Sequence, residues 1–230
     1  MEKAYVRSLF DSIAYRYDLL NHLLSGGIDL YWRRKAVEQL QDLHPKRILD
    51  VATGTADFAI AAMKLSPEKV VGVDISEKML TLGREKIHRR NMDSMIELVP
   101  GDAENLQFET GSFDAAIVAF GVRNFEDLEA GLKEIFRVLR PGGKFVVLEF
   151  SRPSGAPFKQ LYLFYFRRVL PLIGRLISRH PDAYQYLRDS VMRFPEGSDF
   201  RDALRQTGFV HPRETRLTFG IATVYSGIKL

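Results

Sequence analysis

The chain has 230 residues, enough for a domain with its own core, and its composition (46% apolar, 27% charged) excludes wholesale disorder. It contains no cysteine, which excludes disulfides, thiolate zinc sites and any cysteine nucleophile. The net charge of +4 is uneven: Arg152 to Arg216 holds 12 Arg or Lys against 6 Asp or Glu, so that segment carries +6 and the remainder −2. Such a segment suits nucleic acid, anionic lipid or phosphate, and equally a solvated face.

The N-terminal stretch is charged throughout, with no apolar run of signal-peptide length, and no stretch nears the roughly 18 apolar residues of a membrane span. The expectation is a cytoplasmic protein, soluble or peripheral at the inner face of the membrane.

Residues 3–40 read as helices. Tyr5, Leu9, Ile13 and Tyr17 recur at helical spacing, and Trp32, Ala36 and Leu40 resume it after Ser25-Gly26-Gly27. Arg47 to Ala52 is then a short apolar strand closed by Thr53-Gly54-Thr55, with a helix through Phe58, Ala61, Ala62 and Leu65. Lys69 to Asp74 is a second strand, and Ser76 is the expected N-cap of the next helix. Strands follow at 96–99 and 113–118, then a helix over 126–139 stopped by Pro141-Gly142-Gly143, and a fifth strand at 145–150.

Strands alternating with helices predict right-handed βαβ units and a buried, mostly parallel sheet. After Phe150 the alternation breaks. Residues 156–190 form an aromatic-rich helical stretch, 198–207 another helix, and Thr215 to Leu230 two β-prone runs around Gly220. The expected organisation is one domain. It divides into N-terminal helices (1–45), a cofactor-binding core (46–150), a helical substrate or lipid cap (151–195), and a C-terminal helix with strands (196–230).

In an open α/β sheet, ligands bind beyond the carboxyl ends of the strands. Asp50 and the turn Ala52 to Thr55 lie after the first strand. Gly54 permits close backbone approach, and the following helix N-terminus offers free N–H groups. Asp74 ends the second strand, placed to bond ribose hydroxyls, and Asp102-Ala103 follows the third, within reach of an adenine edge. Singly, such residues are common turn and cap residues; together they mark a nucleoside site. A dinucleotide site would want G-x-G-x-x-G, but Ala52 and Asp57 hold its outer positions, which favours an adenosyl ligand lacking a pyrophosphate. The five histidines show no metal-ligand spacing, so no metal is expected.

The pattern L-D-V-A-T-G-T (49–55), V-D-I-S-x-x-M-L (73–80), G-D-A-E-x-L-x-F (101–108), F-D (113–114) and L-R-P-G-G-K (139–144) resembles class I S-adenosylmethionine methyltransferases. Further segments resemble, more specifically, the menaquinone/ubiquinone biosynthesis C-methyltransferase family. They are Phe10-Asp-x-Ile-Ala-x-x-Tyr17-Asp18, Asn21, Trp32-Arg33, Phe120-Gly-Val-Arg-Asn124, Leu148-Glu-Phe-Ser151, and Tyr186-Leu-x-x-Ser190 with Phe194-Pro195. That likeness spans essentially the whole chain. It implies a Rossmann-like fold of mostly parallel strands with an antiparallel C-terminal strand. It also implies S-adenosylmethionine as methyl donor, S-adenosylhomocysteine as product, and cofactor positions at Thr55, Asp74, Asp102 and Ala103. One departure is Ala119, where some relatives place a serine.

The resemblance implies methylation at a ring carbon of a prenylated quinol, with demethylmenaquinol to menaquinol foremost. The carbon becomes nucleophilic when the adjacent phenol, of pKa about 10, loses its proton. Arg123 and Asn124 are the expected catalytic residues, Arg123 holding the phenolate directly or through water and Asn124 bonding the second ring oxygen. Arg123 could instead cap a helix or pair with Glu126 or Asp127. Tyr17 and Asp18 could close over the pocket. The aromatic and basic residues of 156–190 could roof the site, take an isoprenoid tail and touch anionic lipid, or pack on one another or across a homodimer.

Competing readings are a methyltransferase for another lipid or phenol, a nucleic-acid methyltransferase, a non-catalytic adenosyl-binding protein, and a nicotinamide-binding one. The loop Phe120 to Asn124 lacks the D/N-P-P-Y/F pattern of amino-methylating enzymes, and thiolate-based cytosine chemistry is impossible without cysteine. No nucleic-acid partner is expected.

Overall fold

The structure, a computed structural model, describes residues 3–153, 155–156, 160 and 182–230; the side chains of 16–24 and 182–184 also lie outside that description. Most of the aromatic stretch at 156–190, and with it most of the expected substrate or lipid cap (151–195), therefore falls outside the described residues.

Two helices come first, α1 (Lys3–Ser25) and α2 (Ile28–Glu38). Gly26 and Gly27 separate them at φ +60° and +79°, values that glycine adopts without strain. Then β1 (Arg47–Val51), α3 (Asp57–Ala62), β2 (Lys69–Asp74), α4 (Glu77–Arg89) and β3 (Ile96–Pro100) alternate as expected. Ser76 does cap α4, its hydroxyl accepting from Met79 N at 3.2 Å. Next come β4 (Phe113–Ala119), α5 (Leu128–Val138) and β5 (Leu139–Phe150). Beyond the break lie α6 (Asp182–Arg193), α7 (Ser198–Thr207), β6 (Val210–Leu217) and β7 (Ala222–Ile228).

Two strands begin earlier than the sequence suggests. β5 starts at Leu139, which pairs with Phe113 before a register shift, so the Pro141-Gly142-Gly143 bend lies inside the strand. β6 starts at Val210 instead of Thr215. It is an edge strand, bonded only to β7, with a register shift between Val210 and Arg213. One-sided pairing lets its first half carry Pro212, Arg213 and Glu214, which hides that half from an apolar pattern search.

The strands form one sheet in the order β3-β2-β1-β4-β5-β7-β6. β1 to β5 pair in parallel, whereas β7 runs antiparallel to both its neighbours. Alternate strand residues bury on opposite faces. Ile48, Val70, Ala115, Ile117 and Val146 join Trp32, Phe58 and Leu80 in one core layer, against α2, α3 and α4. Leu49, Val71, Ala116, Val118 and Val147 join Leu132, Ile135, Phe200 and Leu204 in the other, against α5 and α7. Burial on both faces explains why these strands read as unbroken apolar runs. The strand order reverses between β1 and β4, and at such a switch point a crevice opens at the carboxyl ends.

Candidate active site

The crevice is a cleft walled by the segments that leave four adjacent strands. Ala52 and Gly54 come from the end of β1, Val73, Asp74 and Ile75 from β2, Gly101 to Glu104 from β3, and Ala119 to Gly121 from β4, with Asn124 and Phe125 beyond. Lys3, Val6 and Phe10 of α1 close one side. Its empty space, counting the open mouth, is about 730 Å³.

The backbone turns sharply at two of these strand ends. Ala52 and Phe120 have φ of +54° and +57°, left-handed values that cost a residue with a β-carbon energy and concentrate at functional sites. The two turns nearly touch. A β-carbon placed on Gly121 would lie 2.7 Å from Ala52 Cβ and 2.9 Å from Val118 Cγ1.

Asp74 organises the β1 loop. Its Oδ2 accepts from Gly54 N at 2.8 Å and its Oδ1 from Ser76 N at 2.9 Å. Burial pushes its pKa above the ordinary carboxylate value, against the pull of those backbone donors. Asp102 Oδ1 accepts from Glu104 N at 2.9 Å, and its Oδ2 faces Lys3 Nζ at 2.6 Å. Lys3 also meets Glu104 Oε2 at 2.8 Å, and the two carboxylates hold its ammonium pKa well above the usual lysine range. A second bond ties α1 to the N-terminus of α4, Ser76 Oγ donating to Asp11 Oδ1 at 2.5 Å.

Asp50 and Thr55 stand behind this wall instead of in it. Asp50 is wholly buried and accepts the Thr53 hydroxyl at 2.6 Å. Burial raises its pKa to about 7, opposed by that hydroxyl and by the charge of Arg33. Thr55 is buried too, its hydroxyl accepting from Lys86 Nζ at 3.0 Å. Gly54, Asp74, Asp102 and Ala103 line the cleft.

The two expected catalytic residues divide. Asn124 lines the cleft: its Oδ1 accepts from Tyr186 Oη at 2.7 Å, and its Nδ2 donates to the Phe120 carbonyl at 3.3 Å. Arg123 is not among the residues lining this cleft. It is paired with Glu149 at the end of β5 at 2.8 Å, both side chains buried, and not with Glu126 or Asp127. The same Nη1 donates to the Phe120 carbonyl, and the guanidinium lies 5.4 Å from the Phe150 ring centroid. Burial raises the Glu149 pKa even beside that cation. The side chains of Tyr17 and Asp18 lie outside the described residues. Among the described residues, no group of three or more His, Asp or Glu is placed to hold a metal.

The roles of Lys3 and Tyr186 were not evident from spacing. Lys3 meets Asp102 across 99 residues and Tyr186 meets Asn124 across 62. For Tyr186 the resemblance at 186–195 was the available signal; Lys3 had none.

The chain is similar to known proteins over nearly its whole length. A demethylmenaquinone methyltransferase of Bacteroides fragilis is 46% identical over 225 residues, 97% of this chain and 92% of that protein. The ubiquinone/menaquinone biosynthesis C-methyltransferase UbiE of Geobacter sp. (strain M21) is 49% identical over 97% of this chain and 96% of that protein. Among solved structures, a SAM-dependent methyltransferase of Thermotoga maritima superposes with a TM-score of 0.69 at 22% identity, covering 97% of this chain and 99% of that one. Another, from Aquifex aeolicus, gives 0.59 at 14% identity, covering 84% and 89%. These two speak to the fold alone. The model of the ubiE/COQ5 methyltransferase family matches residues 1–229, and the chain belongs to that family.

Proposed function

We propose that this protein transfers a methyl group from S-adenosylmethionine to a ring carbon of a prenylated quinol, with demethylmenaquinol the foremost substrate and menaquinol its product. The observation that carries the reading is the near full-length likeness to relatives named for this activity. The cleft at the β1/β4 switch point supports it by its chemistry.

The residues present fit an adenosyl group. Asp74 and Asp102 offer acceptors for hydroxyls and an amine, while Val73, Ile75, Met79, Ala103 and Phe125 offer apolar contact for a purine. When bound, the cofactor supplies an electrophilic methyl on a positive sulfur. This chain supplies alignment and exclusion of water. In this reading Gly54, Asp74, Asp102 and Ala103 hold the cofactor directly. Asp50 and Thr55 shape the β1 loop from behind.

Asn124 is the polar side chain that the β4 loop presents to the cleft, and it is assigned to a ring oxygen of the quinol. Arg123 is assigned an electrostatic role from one layer back. Its charge lies beside the Phe120 carbonyl and favours negative charge developing on the quinol oxygen. Arg123 stays protonated and is no base. Val6 and Phe10 on α1 help shut out water, which strengthens these interactions. Among the described residues no helix is long and apolar enough to cross a membrane. Contact of the basic segment with anionic lipid belongs to the proposal.

The test is transfer of labelled methyl from S-adenosylmethionine to reduced demethylmenaquinone and, in parallel, to a demethoxy-type ubiquinol precursor. Label in the first lipid supports the reading. Label in neither overturns it, and label in the second alone reassigns the substrate.

A further inference from the structure

Asn124 carries two kinds of polar group, a carbonyl that accepts and an amide nitrogen that donates, and which of them faces the cleft decides what it can bind. Phe120 has a left-handed backbone at φ +57°. Its carbonyl receives both Arg123 Nη1 and Asn124 Nδ2. A carbonyl only accepts, so the Nδ2 end of the amide must face it. The Asn124 carbonyl then points the other way, where the Tyr186 hydroxyl meets it at 2.7 Å. Nδ2 carries a second N–H besides the one given to Phe120, and Asn124 lines the cleft.

Tyr186 is well placed to hold the amide in the orientation that the Phe120 carbonyl selects. It is buried, in a small apolar cluster with Val6, Leu9 and Phe10. Its ring packs edge-on against Phe10 at 6.4 Å and tilted against Tyr5 at 6.0 Å. Burial also pushes its phenol pKa up, so the hydroxyl keeps its proton. Without that hydroxyl the Asn124 carbonyl would lose its partner, and among these bonds only the 3.3 Å one to Phe120 would be left to hold the amide.

We infer that Tyr186 is a positioning residue for methyl transfer: its hydroxyl fixes the Asn124 amide so that a single N–H donor faces the substrate's ring oxygen. The inference rests on the proposed reaction and extends it to a specificity device. At this point the site accepts only a hydrogen-bond acceptor, such as a quinol oxygen bearing negative charge. It also makes the site depend on the packing of α6 against α1.

The experiment is a double-mutant cycle of Tyr186→Phe and Asn124→Ala, read by single-turnover rates with enzyme in excess over reduced demethylmenaquinone. Cofactor affinity and thermal midpoint are measured alongside. Tyr186→Phe keeps the ring and its packing. We expect it to slow methyl transfer at least tenfold while the cofactor Kd stays within twofold. In the Asn124→Ala background the same change should have no further effect, because Tyr186 acts through that amide. Asn124→Asp, which keeps the acceptor for Tyr186 but removes the N–H, should be at least as slow as Tyr186→Phe.

An unchanged rate in Tyr186→Phe, equal slowing in both backgrounds, or a fully active Asn124→Asp would each overturn the inference. Absence of transfer by the wild-type protein would instead overturn the proposed reaction. Should Tyr186→Phe fail to fold, the Asn124→Asp rate still decides whether the donor matters.

Discussion

Arg123 Nη1 and Glu149 Oε1 lie 2.8 Å apart, and the two side chains are buried almost completely beneath the turn that follows β4. Glu149 Oε2 also accepts from the backbone N–H of Arg123 at 3.4 Å, so the pair ties the turn after β4 to the end of β5. Removing one partner of such a pair strands a charge in a poorly solvated place. Glu149→Ala should therefore lower the unfolding free energy by about 3–5 kcal/mol. Glu149→Gln retains an acceptor for Arg123 and should cost less. Urea titrations of the three proteins check this; a loss below about 1 kcal/mol for Glu149→Ala would show that the pair does not hold the turn.

Gly121 tests the close approach of the β1 and β4 turns. A methyl group there would meet Ala52 Cβ at 2.7 Å, so Gly121→Ala must push one turn away from the other. Overpacking of this kind costs about 1–3 kcal/mol. Because Ala52 and Gly121 both line the cleft, the affinity for S-adenosylmethionine should fall as well. Calorimetric titration would reveal it, and unchanged stability together with unchanged affinity would contradict the geometry.

Asp50 predicts a pH dependence. Its folded pKa, about 7, lies above that of an unfolded aspartate, so the folded state binds the proton more tightly. The sign follows from linkage. This group's contribution to stability is fully present below about pH 4 and is lost as pH rises through about 7. Between those values Asp50→Asn should flatten the decline in stability of the protein measured without cofactor. Unfolding free energies at several pH values give the two slopes, and equal slopes would mean that Asp50 ionises as freely folded as unfolded.

Much of this arrangement was legible in the sequence because its causes are local. The Ser76 cap and the Gly26-Gly27 break act over a few residues. The strand-end positions of Gly54, Asp74 and Asp102 follow from the βαβ rhythm. What was hidden depends on chain segments far apart. The pairing of Arg123 with Glu149 requires knowing that β4 and β5 are neighbours in register. Lys3 reaches Asp102 only because α1 folds over the cleft, and Tyr186 reaches Asn124 only because α6 packs beside it. The first half of β6, before Thr215, escaped notice for a different reason: an edge strand needs no apolar alternation to form its one ladder.

The central claim is carbon methylation of a quinol, and the most direct measurement is the position of the transferred methyl. S-adenosylmethionine carrying a ¹³C-labelled methyl is incubated with the purified protein and reduced demethylmenaquinone, and the lipid product is read by carbon NMR. The account predicts a single labelled methyl on the ring carbon, at the chemical shift of an aromatic C-methyl. A methoxy shift, or label that never leaves the cofactor, would contradict it.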